Sequence, residues 1–242
     1  MAEFLRISKL TKHFRGLVAN EDVDFTLGGG DVRCIIGPNG AGKTTFISMI
    51  SGHVEPTSGS IAFKGRDITR MSVPRRARLG IGRKFQTPSV FDNLTVAENI
   101  ELASIGKHAE GESRRARMGE VLQLTRLEAF ASKPALTLSH GQRQWLEIGM
   151  LLANRAELLL LDEPTAGMSA EETHATAALI KTLAAEFGIA IVIIEHDINF
   201  IRDLGAPVTV LHLGRVLMEG DFAAISENED VRNVYLGGEW EC

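Results

Sequence analysis

The stretch Val32-Arg-Cys-Ile-Ile-Gly-Pro-Asn-Gly-Ala-Gly-Lys-Thr-Thr45 carries three local patterns in succession. Residues 32–36 are a short apolar run of the kind that forms a buried strand, residues 37–42 are rich in glycine, and helix-forming residues follow from Lys43. The stretch therefore predicts a strand, a glycine loop and a helix.

The glycine loop fits a phosphate-binding pattern. Residues 37–44 follow the order Gly, any four residues, Gly, Lys, and Ser or Thr. In such a loop backbone N–H groups point at a β-phosphate, while Lys43 reaches the β- and γ-oxygens and Thr44 binds magnesium. A glycine turn with an incidental lysine is the alternative, and the position of the loop between a strand and a helix argues against it.

Two further apolar runs are followed by polar residues. Residues 158–161 are all leucine and precede Asp162 and Glu163. Asp162 is placed to hold magnesium through water, and Glu163 to orient or deprotonate an attacking water. The run at 189–194 leads to His196, which neighbouring parallel strands would deliver to the same edge of the sheet. A solvated acidic turn and an incidental histidine are the alternatives.

Gln86 and Phe14 each have a functional and a structural interpretation. Gln86 ends a short strand candidate, where it either senses the metal or attacking water or is an ordinary surface glutamine. Phe14 precedes the phosphate loop and either stacks on adenine or belongs to the core of a small lobe.

The remaining segments outline the architecture. Strands are predicted at residues 4–10, 22–27, 60–64 and 82–86, helical structure at 95–131 and 170–186, a closing hairpin at 208–213 and 215–219, and then a polar C-terminal helix. Apolar runs separated by helices indicate parallel strands that are buried on both faces. The pattern predicts an α/β fold with a mixed sheet and an inserted helical subdomain.

Composition limits the function classes. The chain has 242 residues, 44% of them hydrophobic and 24% charged, and a net charge of -5, which gives no general signal for nucleic-acid binding. Its two cysteines suggest neither a disulfide framework nor a zinc site, so a reducing, cytosolic compartment is expected. No signal peptide and no run of roughly 18 apolar residues is found.

One group of basic residues has no obvious role in this scheme. A solvated face is expected for it, and contact with acidic headgroups or with a partner is the alternative. Its members are Arg75, Arg76, Arg78, Arg83 and Lys84.

A second helix start stands out at residues 136–150, LTLSHGQRQWLEIGM. Ser139 and Gln142 have the spacing of a capping box, and the start of a helix suits an anion. Ser139 and His140 are adjacent, so their side chains do not face each other, and no third group argues for a nucleophilic triad. The chain therefore holds two anion-binding segments, which a single phosphate site does not explain.

The chain closely resembles the ATP-binding subunits of ABC transporters over nearly its whole length. The resemblance rests on ordered motifs, namely the loop at 37–45, Gln86, LSHGQ at 138–142, LLLLDEP at 158–164 and His196. The resemblance implies a phosphate-loop NTPase core with a mixed, largely parallel sheet, an N-terminal antiparallel β lobe and an inserted α-helical subdomain. It implies one nucleotide-binding domain over residues 1–242, with the core and β lobe at about 1–90 and 155–242 and the helical subdomain at about 91–154.

The resemblance also implies the site. ATP and Mg²⁺ are the expected cofactors, with Glu163, His196 and Gln86 as catalytic residues and Thr44, Gln86 and Asp162 at the metal. In this family two domains sandwich ATP, so the second helix start would serve the nucleotide of the partner subunit. The implied ATP-binding residues are Phe14, Gly37, Pro38, Asn39, Gly40, Ala41, Gly42, Lys43, Thr44 and Thr45, with Ser139, His140, Gly141 and Gln142 acting in trans.

Within the family, residues 81–95, 138–152 and 234–237 resemble the importers of branched-chain amino acids and, more narrowly, of urea or short amides. Urea or a short amide is the expected solute, with branched-chain amino acids as the alternative and a soluble ATPase in cofactor assembly as another. The expected partners are permease subunits, a second, non-identical ATP-binding subunit and, indirectly, a solute-binding protein, with no nucleic acid. The expected location is peripheral, on the cytoplasmic face of the inner membrane.

Two departures from the family pattern are visible. His140 stands where the common motif has its first glycine, and a protonated imidazole there would favour a nucleotide. Residues 166–169 read Ala-Gly-Met-Ser, where many relatives have an aspartate that contacts the partner subunit.

Overall fold

The structure is a computed structural model that describes residues 4–85, 89–105 and 112–235, with the backbone alone for residues 112–114 and 235. Gln86 and residues 236 and 237 of the C-terminal motif lie outside the described residues. Among the described residues, no helix combines the length and the apolar character needed to cross a membrane.

A four-stranded antiparallel sheet forms the N-terminal lobe. Its strands, in the spatial order β2-β1-β4-β5, are β1 (Leu5–Phe14), β2 (Leu17–Leu27), β4 (Ser58–Phe63) and β5 (Arg66–Asp67). The predicted strands at 4–10 and 22–27 are confirmed and are longer than expected. They extend to a tight hairpin because Phe14 pairs with Leu17 and His13 pairs with Val18.

A six-stranded mixed sheet forms the core. In the spatial order β10-β9-β3-β8-β7-β6 its strands are β10 (Arg215–Gly220), β9 (Val208–His212), β3 (Val32–Ile36), β8 (Ala190–Ile194), β7 (Leu158–Asp162) and β6 (Ile81–Lys84). All neighbours are parallel except β9 and β10, which form the predicted closing hairpin. The predicted α/β class with a mixed, largely parallel sheet is confirmed.

The helices cover both faces of this sheet. In chain order they are α1 (Lys43–Ser51), α2 (Val73–Leu79), α3 (Val96–Ser104), α4 (Glu112–Leu124), α5 (His140–Ala153), α6 (Ala170–Ala185), α7 (Ile198–Leu204), α8 (Phe222–Glu227) and α9 (Glu229–Tyr235). The helical region expected at 95–131 therefore contains α3 and α4, and the C-terminal segment contains two short helices. The division into core and helical subdomain stays a prediction, and α3 to α5 do lie between β6 and β7 in the chain.

The central strands are buried on both faces, as their uniform apolar sequences predict. Leu158 and Leu160 of β7 pack on the side of α1 and the N-terminal lobe, whereas Leu159 and Leu161 pack on the side of α3, α5 and α6. Because β3, β7 and β8 are parallel, their carboxyl ends meet at one edge of the sheet. This edge carries the glycine loop after β3, the carboxylates at the end of β7 and the residues that follow β8.

Candidate functional site

The glycine loop after β3 is pressed tightly against its neighbours. Gly37 and Gly42 have φ angles of 151° and 100°, and a Cβ atom would lie 2.1 Å from the Leu211 carbonyl oxygen at Gly37 and 2.2 Å from that of Ala19 at Gly42. These positions therefore require glycine. The backbone of the loop is exposed at Asn39 and Gly40, where an incoming group can reach it.

Helix α1 begins directly at the end of this loop, with Gly42 as its N-cap, and within the described residues no side chain caps its first turn. The N–H groups of that turn are the donors that bind an anion at a helix start. Nζ of Lys43 donates to the carbonyl oxygens of Gly37 and Pro38 at 2.6 and 3.0 Å, so the ammonium group lies over the loop. Thr44 is exposed, Thr45 is half-buried and Ala41 is buried.

The carboxylates at the end of β7 lie close to Lys43. Burial lowers the pKa of Lys43, while the charges of Glu163 and Asp162 act in the opposite direction. Asp162 is buried, and its Oδ1 has no hydrogen-bond partner among the described residues. Burial raises the pKa of Asp162, which the guanidinium group of Arg83, 3.8 Å from Oδ2, opposes. An unpaired buried carboxylate oxygen is what a hydrated cation at this edge would bind.

Glu163 has a strained backbone. Its φ angle is 48°, in the left-handed region that residues other than glycine rarely adopt, and its N–H donates to the Ile194 carbonyl oxygen at 2.9 Å. This conformation brings Oε1 of Glu163 to 3.3 Å from Nε2 of His196. The structure thus brings together the acidic and imidazole groups that the sequence placed at the ends of two separate strands.

Glu195 organises both of the loops that carry these groups, a role that the sequence did not suggest. Its Oε1 accepts hydrogen bonds from the N–H of Thr165, at 3.0 Å, and from the hydroxyl of the same residue, and its Oε2 accepts the N–H of His196 at 2.8 Å. The available signal was an acidic residue at the end of a buried strand, but its partner lies 30 residues away in the chain.

Of the basic residues expected on a solvated face, Arg76 and Lys84 are buried and Arg83 is half-buried, so that prediction was wrong for these three. Arg76 binds four backbone carbonyls, including those of Met49 and Ile50 in the last turn of α1, and thus caps the C-terminus of that helix. Arg83 lies beside Asp162 and Lys84 lies beside Glu147, so both are drawn inward by carboxylates. Arg75 and Arg78 are exposed as expected.

Phe14 lies at the tip of the β1–β2 hairpin and is 43% exposed, which excludes the core interpretation. Nζ of Lys12 lies 4.8 Å from its ring centroid. The contact with adenine stays a prediction.

The second helix start has the local geometry that the sequence predicted. Ser139 is the N-cap of α5, and its side chain and that of Gln142 form a capping box. Ser139 and His140 are exposed, and Gly141 is buried. Nε2 of His140 lies 3.1 Å from Nε2 of Gln144, and the Ser139 hydroxyl is bonded to Glu172, so the two side chains are directed to different partners, as predicted. The contacts of Ser139 therefore run to α6, not to the phosphate loop.

Within the described residues no group of three His, Cys, Asp or Glu side chains is arranged to hold a metal alone. A magnesium ion here would be held by Asp162, the Thr44 hydroxyl and the phosphates of a bound nucleotide, which is how magnesium is usually bound. The glycine loop, which is exposed at Asn39 and Gly40, and the unpaired Asp162 oxygen fit this arrangement.

Comparison with known proteins agrees with this geometry. The ABC transporter family matches residues 20–166. The chain is 34% identical to the high-affinity branched-chain amino acid transport ATP-binding protein BraF of Pseudomonas aeruginosa, over 96% of this chain and 97% of BraF. It is 32% identical to the probable branched-chain amino acid transport protein LivG of Archaeoglobus fulgidus, over 99% of each chain. It is also 34% identical to the lipopolysaccharide export ATP-binding protein LptB of Acidithiobacillus ferridurans, over the full length of both.

Solved structures show the same likeness. The ADP conformation of MJ1267, an ATP-binding cassette of an ABC transporter, is 28% identical and superposes with a TM-score of 0.89 over 98% of this chain and 100% of that one. A dimeric post-hydrolysis state of the cassette MJ0796, bound to ADP and Pi, is 29% identical, with a TM-score of 0.80 over 90% of this chain and 98% of that one. The chain described here therefore belongs to the ABC transporter family, as an ATP-binding cassette that hydrolyses ATP.

Proposed function

We propose that this subunit supplies the energy of ATP hydrolysis to the import of a small polar solute through a membrane permease. The observation that carries the proposal is the convergence of the phosphate loop, Asp162, Glu163 and His196 at one edge of the sheet. The chain is also related to amino acid transport subunits over nearly its full length. Like the transport subunits to which it is related, it would act peripherally, on the cytoplasmic face of the inner membrane.

Specific roles follow from the positions of the side chains. Lys43 and the N–H groups of residues 37–45 would hold the β- and γ-phosphates, with Phe14 against the adenine. Glu163 would orient or deprotonate the attacking water. His196, whose Nε2 lies 3.3 Å from Oε1 of Glu163, would fix that water against the γ-phosphate. Gln86, although outside the described residues, is proposed to sense the metal and the water.

Magnesium, held by Thr44, Asp162 and Gln86, would neutralise the charge that develops on the phosphates. The chain's own contribution would come from Arg83. Burial raises the pKa of Asp162, and the guanidinium of Arg83, which lies 3.8 Å from Oδ2, opposes this effect only in part by favouring the ionised carboxylate.

The start of α5 is proposed to act on the nucleotide of a second subunit. The helix start suits a phosphate and comprises Ser139, His140, Gly141 and Gln142. Among the described residues, their side-chain contacts run to α5 and α6 and not to the phosphate loop of the same chain. The related cassette MJ0796 has been observed as a dimer. A composite site between two subunits would give both anion-binding segments a single purpose.

Branched-chain amino acids are the solute class with the better support, since BraF and LivG are named for their transport. Urea or a short amide is the second candidate, because the sequences of residues 81–95 and 138–152 resemble those of urea-type subunits. The partners would be two permease subunits, a second and non-identical ATP-binding subunit, and a solute-binding protein that delivers the cargo.

The substitution Glu163→Gln tests the enzymatic part of this proposal. The amide keeps the size of the side chain but removes the base, so ATP turnover should fall by at least about a hundredfold while the Kd for ATP changes little. Turnover in a phosphate-release assay and binding by fluorescence titration would measure the two quantities. Hydrolysis at the unmodified rate would exclude Glu163 from this role.

The solute is tested at the solute-binding protein that this proposal requires. Calorimetric titration with leucine, isoleucine, valine, urea and acetamide should give micromolar or tighter binding for the branched-chain amino acids and none for urea. Tight binding of urea or acetamide alone would reverse the preference, and binding of none of them would remove both candidates.

A further inference from the structure

The start of α5 is occupied by a carboxylate of the same chain. The hydroxyl of Ser139 donates to Oε1 of Glu172 at 3.2 Å. Glu172 belongs to the first turn of α6, where its Oε2 accepts the N–H of the N-cap residue Ser169 at 3.0 Å. One carboxylate thus joins the start of α6, which follows the loop after Glu163, to the start of α5.

Gly141 makes room for this carboxylate. A Cβ atom at Gly141 would lie 2.5 Å from Oε1 of Glu172, so any other residue would push the carboxylate away from the first turn of α5. The pKa of Glu172 lies below its usual range. The causes are the hydrogen bonds from the Ser169 N–H and from the hydroxyls of Ser169 and Ser139, together with the charge of His140. Glu172 is therefore ionised at neutral pH and lies where the helix start favours an anion.

The contact is more than a helix cap. The same type of capping box begins α3, where, within the described part of the chain, the Glu98 carboxylate binds only the N–H and hydroxyl of its own N-cap residue, Thr95. Ser139 already has a capping partner, because its oxygen accepts the N–H of Gln142 at 3.2 Å. The bond between Ser139 and Glu172 is thus additional to what either helix start needs.

This bond conflicts with the binding of a phosphate. A hydroxyl group has one hydrogen, so Ser139 cannot donate to a phosphate oxygen while it donates to Glu172. Two anions at one helix start also repel each other. Further along the helices, the indole N–H of Trp145 donates to the Thr176 hydroxyl at 2.9 Å, so loss of the Glu172 contact would free the first turn of α5 without separating α5 from α6.

We propose that Glu172 is an internal anion that occupies the start of α5 until the γ-phosphate held by the partner subunit displaces it. Glu172 thereby sets the ATP concentration at which two subunits close. The proposal rests on the composite site put forward above, and it adds a residue that opposes closure.

The test is Glu172→Gln in the full-length chain that also carries Glu163→Gln, so that ATP is bound without turnover. Glutamine at this position preserves the capping box, which keeps α6 intact while removing the charge. Glu171→Gln is the matched control, because it removes the same charge from the preceding, exposed position. Light scattering during an ATP titration with magnesium measures the ATP concentration at half-maximal dimer formation, and thermal unfolding verifies the fold.

We expect this ATP midpoint to be about two- to fivefold lower for Glu172→Gln and nearly unchanged for Glu171→Gln. An unchanged or higher midpoint for Glu172→Gln, or an equal decrease in both variants, would overturn the role of Glu172. If the Glu163→Gln chain binds ATP but forms no dimer with itself or with its second ATP-binding subunit, the composite site fails, and the inference fails with it.

Discussion

Lys84 carries a charge into the interior of the protein. Its side chain is 0% exposed, and its Nζ lies 3.9 Å from Oε2 of Glu147, which is 7% exposed. Oε1 of Glu147 accepts the N–H of Ser89 at 2.5 Å, and Nζ of Lys84 donates to the Phe85 carbonyl oxygen at 3.1 Å. Burial lowers the pKa of Lys84 and raises that of Glu147, so each charge depends on the other to remain ionised.

Removal of the charge of either Lys84 or Glu147 alone should therefore destabilise the fold more than removal of both charges. We expect Lys84→Met and Glu147→Gln each to lower the free energy of unfolding by about 3 kcal/mol, because each leaves one buried charge unpaired. The double variant should lie within about 1 kcal/mol of the unmodified protein, since methionine fills the space and glutamine still accepts the Ser89 N–H. Denaturant unfolding of the four proteins gives the coupling energy directly. Losses that simply add would mean that the two charges do not interact.

At the scale of single elements, local sequence patterns were sufficient to predict the structure wherever the contacts are made between neighbours in the chain. The four leucines at 158–161 form most of β7, and the residues that follow them, Asp162 and Glu163, lie where a parallel strand delivers its end. The capping boxes at Ser139 and Ser169 involve residues three positions apart, and that of Ser139 was visible in the sequence. Such features depend on neighbours in the chain, so the sequence alone predicts them.

Other elements depend on distant partners, which a single sequence does not reveal. The strand β1 continues to Phe14 because β2 pairs with it across the hairpin. The basic segment around Arg76 was expected to be solvated, yet the carbonyls at the end of α1, 26 and 27 residues away, bind its guanidinium group. Glu195 and Lys84 were missed for the same reason: whether a charged residue is buried depends on which carboxylate, cation or N–H the fold brings to it.

At the scale of the whole molecule, the two helix starts that we propose as phosphate sites differ in a way that fits two subunits. The first turn of α1 has no side-chain cap and remains open beside Lys43, whereas the first turn of α5 is capped by Ser139 and covered by Glu172. An open site suits a nucleotide that binds to the subunit alone. A covered site suits a phosphate that arrives only when a second subunit docks.

The substitution Ser139→Arg separates these two events. The arginine would project from the start of α5 into the proposed interface, so dimer formation with ATP should be lost, and turnover per subunit should become slow and independent of protein concentration. The Kd for ATP of the monomer should stay within about twofold of the unmodified value, because the phosphate loop is unchanged. Loss of the cap should lower the free energy of unfolding by about 1 kcal/mol.

The control is Ser132→Arg, the same change at an exposed serine in the same region, which should leave both the Kd for ATP and dimer formation unchanged. Fluorescence titration and light scattering measure the two quantities, and strong loss of monomer binding in Ser139→Arg would show that this helix start serves the nucleotide of its own chain.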